Sequence, residues 1–164
     1  MRLHTAAGWR SLLFTSLVLS TPSAWAKKDK PGIKQTKFDY IPYNVNYFDD
    51  SDVMLFHNPN DKTILRSTDA GASWDSLQKG SGKAVDLIMH PFDKQRAYII
   101  SEDLTHWKTE DRGKSWEEWH AESYATLFRE VMNFHAGDPN RIIFNAMDCA
   151  GMFCEELVSA AQKK

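Results

Sequence analysis

The sequence has little that would anchor, glycosylate or cross-link it. It holds two cysteines in 164 residues, no Asn-x-Ser/Thr sequon, and no apolar run approaching the roughly 20 residues that a bilayer-spanning helix needs. N-linked glycan is therefore not expected, nor a transmembrane segment within this chain. An excess of one charge is missing too: 20 basic residues stand against 22 acidic ones and the two are interspersed, so no basic stripe offers itself to nucleic acid. Neither a nucleic-acid partner nor a cofactor is expected. Cys149 and Cys154 lie five positions apart, with no further Cys or His close by in sequence. Zinc takes four ligands, which makes half a metal site the weaker reading and one local disulfide, in an oxidising compartment, the stronger. A loop that short adds about 2 kcal/mol in the chain-entropy model.

What is present begins with a leader. Arg2 and Arg10 give a positive start, Leu12 to Leu19 a short apolar run, and Ala24-Trp25-Ala26 a small-x-small cleavage site. Residues 1–26 read as a secretory signal cut after Ala26. Without them, since they hold two arginines and no acid, the formal charge moves from −2 to −4. Residues 27–37 form a polar leader that opens on Lys27-Lys28-Asp29-Lys30.

The most informative feature is a repeat. Ser67-Thr68-Asp69-Ala70-Gly71-Ala72-Ser73-Trp74 returns 42 residues later as Thr109-Glu110-Asp111-Arg112-Gly113-Lys114-Ser115-Trp116. The shared pattern is hydroxyl-x-Asp-x-Gly-x-Ser-Trp, and periods of 20–50 residues signal a repeat architecture. Each fixed position has a physical task in a tight hairpin turn. The Asp accepts backbone N–H groups, the Gly supplies a positive φ, the hydroxyls bond locally, and the Trp returns to the core.

This octapeptide resembles the Asp-box of β-propeller proteins such as sialidases and sortilin-type sorting receptors. The resemblance extends beyond the boxes, through Phe38-Asp39-Tyr40, Tyr47–Val53, Leu65–Gly71, His90–Tyr98 and Thr105–Asp111. It continues through Phe134-His135, Ile143–Asn145, Asp148-Cys149 and Phe153–Glu156. Over residues 37 to 156 the chain is similar to the start of fungal vacuolar sorting receptors of the sortilin type. That resemblance implies an all-β fold, a ring of ten blades in the whole receptor, and a membrane-anchored protein without enzymatic activity. It also implies that soluble vacuolar hydrolases such as carboxypeptidase Y, or their propeptides, are bound in the late Golgi for delivery to the endosome and vacuole.

Short strands separated by turn residues every eight to twelve positions fit such blades. Blade one spans about 43–78, with strands at Val45–Phe48, Val53–His57, Thr63–Arg66 and Ser73–Leu77. Blade two spans about 84–120, with strands at Val85–His90, Ala97–Ser101, Thr105–Thr109 and Ser115–Trp119. A third begins at about 129–156 with Val131–His135 and Arg141–Asn145. His90 and His135, 45 residues apart, each end a strand before an acidic turn and an arginine, Arg96 or Arg141. Glu117–Glu130 reads as a connecting loop or a short helical turn. The tail at 157–164 leaves the family pattern and reads as small, polar and strandless, so the expectation is a fragment of a receptor's luminal propeller. Its outer units carry Val53, Leu55, Ile64, Leu65 and Trp74 on one side and Val131, Phe134, Ile142, Ile143 and Phe144 on the other, and roughly half of these would face a missing neighbour.

No catalytic or metal-binding residue is expected. Asp69 and Asp111 could suggest a glycosidase carboxylate pair, but equivalent turns on successive blades lie apart around a ring. Asp49-Asp50-Ser51-Asp52 lacks the spacing of a calcium loop. The histidines are scattered, although His90 and His135 are permitted as pH sensors. Trp74, Trp107, Trp116 and Trp119 are assigned to the core. The expected site residues are thus the structural turns: Ser67, Asp69, Gly71, Ser73, Trp74 and Thr109, Asp111, Gly113, Ser115, Trp116. The alternative readings are a sialidase-like Asp-box propeller and a gene-model fragment with no function of its own.

Overall fold

A computed structural model describes residues 35–161 apart from Tyr40, Tyr43, Leu127, Phe128, Gly151 and Met152, with side chains described only as far as Asp148. The expected signal sequence, most of the polar leader, and the side chains of Cys149 and Cys154 lie outside the described residues. No helix occurs among those described.

Three antiparallel sheets follow one another along the chain. The first runs in order β1 (Val45–Tyr47), β2 (Met54–Asn58), β3 (Thr63–Ser67) and β4 (Asp75–Ser76). The second repeats that order with β5 (Ala84–Met89), β6 (Ala97–Ser101), β7 (Thr105–Thr109) and β8 (Glu117–His120). The third holds β9 (Tyr124–Ala125), β10 (Met132–Phe134), β11 (Ile142–Ala150) and β12 (Phe153–Ala161).

Burial follows from stacking. A strand covered on both faces reads as a continuous apolar run, whereas one wet on one face alternates. The β6 strand, Ala-Tyr-Ile-Ile-Ser, is buried at all five positions because the second sheet has a neighbour on each side. Ala97, Ile99 and Trp107 join Phe48, Leu55 and Ile64 in a core between the first two sheets. Tyr98 and Ile100 point the other way and join Met132, Ile142, Phe144 and Ala146 in a core with the third. Of the apolar side chains at the two outer faces, Leu55 and Ile64 turn out to belong to the first of these cores, whereas Ile143 is 40% exposed. Polar clasps tie the seams at their rims: Lys62 pairs with Glu102, and Lys94 with Asp49 and Asp50.

The third sheet departs from the sequence expectation in two places. Glu117–Glu130 is neither a plain loop nor a helical turn: its first residues complete β8 of the second sheet, which overlaps the strand expected at Ser115–Trp119, and Tyr124-Ala125 forms β9 of the third. Both β9 and β10 pair with the same edge of β11, at Ala146-Met147 and at Ile142–Phe144. Ala125 opposite Ala146 thus matches Ala84 opposite Ser101 in the second sheet, so the first strand of the third sheet is split by an excursion. Asn145 brackets that excursion: its N–H donates to the Val131 carbonyl at 2.8 Å, and its carbonyl accepts from Thr126 at 3.1 Å.

The strandless tail is also corrected. Strand β12 reaches Ala161, pairing Val158 with Asn145, Ser159 with Phe144, Ala160 with Ile143 and Ala161 with Ile142. A ladder is made by backbone groups, and an open edge of β11 recruits even weak strand formers.

Candidate functional site: the paired Asp-box turns

The two octapeptides form the same turn atom for atom. In the first, Asp69 Oδ1 accepts from Ser67 Oγ at 2.8 Å and from the Ser73 N–H at 2.8 Å, while Oδ2 accepts from Ser73 Oγ at 2.8 Å. In the second, Asp111 Oδ1 accepts from Thr109 Oγ1 and the Ser115 N–H, both at 2.8 Å, and Oδ2 accepts from Ser115 Oγ at 2.6 Å. The buried hydroxyl of Ser67 or Thr109 in turn accepts from the Gly71 or Gly113 N–H at 2.9 Å. The Trp74 and Trp116 indole N–H groups close each turn on the Gly71 and Gly113 carbonyls, at 3.0 and 3.2 Å.

The backbone explains the glycine and adds something the sequence hid. Two consecutive residues take a positive φ in each box, Ala70 (56°) with Gly71 (85°) and Arg112 (60°) with Gly113 (72°). With the Ala72-to-Asp69 and Lys114-to-Asp111 backbone bonds this is the arrangement of a type I′ hairpin turn, whose twist matches that of the strands it joins. Glycine covers one of the two left-handed positions. The other is held against its preference by a backbone bond to the neighbouring hairpin: Ala70 N–H to the Asp52 carbonyl, and Arg112 N–H to the Gln95 carbonyl, each 2.9 Å.

Electrostatically the carboxylates are spent inside their own turns. Burial acts to raise the Asp111 carboxyl, but the bonds donated by Ser115, Thr109 and the Lys114 N–H hold it below its ordinary value. A general acid for glycoside cleavage needs the opposite displacement. Among the described residues no group of three His, Cys, Asp or Glu is arranged to hold a metal ion.

A second turn repeats between the first two strands of the second sheet and between β10 and β11 of the third. His90 and His135 accept, through Nδ1, the N–H two residues on, from Phe92 and Gly137, both at 3.1 Å. Their own N–H groups donate to the Arg96 and Arg141 carbonyls at 3.0 and 3.1 Å. Asp93 and Asp138 cap the Gln95 and Asn140 N–H groups at 3.0 Å. The pattern is His-x-x-Asp-x-x-Arg, and its histidines serve through Nδ1 as turn acceptors. Arg96 reaches further: it pairs with Asp93 at 2.9 Å and donates to the Pro139 carbonyl and Asn140 Oδ1 of the third sheet, both at 2.9 Å.

One buried residue escaped sequence reasoning. His106 is fully buried, its ring 4.6 Å from that of Trp119 and 5.3 Å from that of Phe144 across the seam. Its Nδ1 accepts from the Ser101 N–H at 3.2 Å. Only the alternation of β7, which places His106 on the face opposite Trp107, could have pointed to it. Of the four core tryptophans, Trp107 is buried, while Trp74, Trp116 and Trp119 are half-buried at the sheet margins. Cys149 and Cys154 are brought directly opposite each other by the β11–β12 register.

With this geometry in place, comparison with known proteins gives a consistent result. The family model described as sortilin, neurotensin receptor 3, matches residues 62–163. A vacuolar protein sorting/targeting protein 10 from Verticillium alfalfae is 50% identical over 157 residues, covering 94% of this chain and 11% of the relative. Proteins of the same name from Pyricularia oryzae and Fusarium vanettenii are 46% and 43% identical, covering 96% and 90% of this chain and 11% and 9% of their own lengths. The chain thus spans about a tenth of the length of the curated relatives it matches. It belongs to the sortilin/Vps10 family of vacuolar sorting receptors.

Proposed function

We propose that this chain is luminal propeller sequence of a receptor that binds soluble vacuolar hydrolases, carboxypeptidase Y among them, or their propeptides. The receptor carries them from the late Golgi to the endosome and vacuole without enzymatic activity of its own. The observation that carries this reading is the identity of 41–50% to proteins named for vacuolar sorting over at least 90% of the chain. The boxes support it from the chemical side, because their carboxylates are committed to turns. Entry into the secretory lumen by the signal sequence at 1–26, and a disulfide between Cys149 and Cys154, belong to the same reading.

The test is made on the whole receptor. Disrupting the gene that encodes this sequence should send carboxypeptidase Y, in its precursor form, into the medium. Reintroducing the intact gene should restore vacuolar delivery. Normal maturation in the disrupted strain would reject the reading.

A further inference from the structure

Two arginines meet at the rim of the seam between the first two sheets. Arg66 in β3 shares a strand face with Ile64, which lies in the core of that seam, so its side chain is directed at the second sheet. There its Nε donates to the Arg112 carbonyl at 3.4 Å. A Cβ placed on Gly113 would stand 3.5 Å from Arg66 Cδ and Nε, so the Arg66 head rests against the second box. Arg112 is half-buried, and its Nε is enclosed without a hydrogen-bond partner. Buried polar groups are nearly always bonded, and an unmade bond is costlier for a charged group than for a neutral one.

The second sheet treats the same position differently. Arg66 lies opposite Asp75 as Lys108 lies opposite Glu117, which makes Lys108 the counterpart of Arg66. Lys108 is neutralised within its own sheet, by Glu117 at 3.0 Å and Glu110 at 3.6 Å. In the first sheet those two acids are replaced by Thr68, which has no charge, and by Asp75, which is one methylene shorter. The second box also carries Arg112 where the first has Ala70. Among the described residues neither guanidinium has an ion-pair partner. Two cations gathered at one residue of the box repel each other unless an anion meets them, and the planar guanidinium fork matches a carboxylate.

We propose that Arg66 and Arg112 form a binding site for a carboxylate carried by an acidic peptide. The peptide brings from outside what Glu110 and Glu117 give Lys108 from within. The site rests on the geometry of this seam and not on the sorting function, so the two can fail separately.

NMR of this chain, observing the arginine Nε–H groups at fixed ionic strength, tests it with the capped peptide acetyl-Gly-Glu-Glu-Gly-amide. The Arg66 and Arg112 signals should shift together and saturate, and the Gln-Gln form of the peptide should leave them in place. Arg66→Gln and Arg112→Gln should each weaken binding about tenfold, with the Ser115 amide signal showing that the box is intact. Lys114→Gln removes an exposed cation from the same box and should change the affinity by less than about twofold. Shifts that rise without saturating, binding of the Gln-Gln peptide, or an equal loss in Lys114→Gln would overturn the proposal. So would inorganic phosphate binding more tightly than the Glu-Glu peptide, which would make the ligand a phosphate. The parent signals decide the matter even where a variant does not fold.

Discussion

Ser115 meets Asp111 twice, with its backbone N–H on one carboxylate oxygen at 2.8 Å and its hydroxyl on the other at 2.6 Å. The pair joins the two ends of the second box, so the carboxylate fixes the loop length of the hairpin between β7 and β8. Asp111→Ala leaves the Ser115 N–H and the Thr109 hydroxyl without their acceptor. The expected loss is about 1–3 kcal/mol, read as a lower urea midpoint with an unchanged slope. The folded-state carboxyl titrates below its unfolded value, so its contribution is present above the unfolded value and fades as pH falls through the folded one. The difference in stability between the parent and the Ala variant should therefore shrink in acid.

Arg96 joins the second sheet to the third. Its side chain is 14% exposed and meets Asp93, the Pro139 carbonyl and Asn140. Arg96→Ala should cost about 2–3 kcal/mol in urea unfolding, because it removes a charge-assisted set of bonds from a largely desolvated site. Arg96→Lys should recover only part of this, since an ammonium cannot span Asp93 and the third-sheet turn as a planar fork does.

Sequence showed the turns better than it showed what lies between them. Asp69, Asp111 and their glycines were legible because a tight turn restricts residue type at fixed offsets, and a repeat displays the restriction twice. Ala70 and Arg112 were not, since nothing in either side chain announces a positive φ imposed by a bond to the adjacent hairpin. The strand β12 was missed because Val158 to Ala161 owe their ladder to the open edge of β11 and not to their own propensity. The His106 site was hidden in part for a similar reason: Trp119 is its partner across the β7–β8 hairpin, but Phe144 belongs to the third sheet and meets it only when sheets stack. The split first strand of the third sheet depends on which edge of β11 remains free, and a single strand's pattern carries no record of that.

His106 gives the seam between the second and third sheets a pH dependence. Burial drives its pKa down to about 4, with Asp103 opposing that change and His120 adding to it. An unfolded histidine titrates near 6.5. The neutral ring is the form the fold accepts, so stability from this residue is complete above about pH 6.5, declines as the unfolded chain takes up protons, and levels off near pH 4. The melting temperature should fall across that window. His106→Phe, which keeps an aromatic ring between Trp119 and Phe144, should make the fall shallower. An identical slope in the variant would assign the dependence elsewhere.

The register sets Cys149 opposite Cys154, and Cα atoms directly across an antiparallel pair lie about 4.5–5.5 Å apart, within the range a disulfide spans. The chain folded under oxidising conditions should be two hydrogens lighter than after reduction. Replacing both cysteines by Ala should cost about 2 kcal/mol, with no change in the Asp-box turns.

The account rests on the two box carboxylates being internal acceptors of hairpin turns, and the amides of Ser73 and Ser115 report this most directly. Both residues are exposed, so without such a bond their amides would exchange at the rate of a free peptide. Residue-resolved hydrogen exchange by NMR should find both protected, with protection at Ser73 abolished by Asp69→Ala and at Ser115 by Asp111→Ala, each without effect on the other box. Free-peptide exchange at both positions in the parent chain would contradict the account.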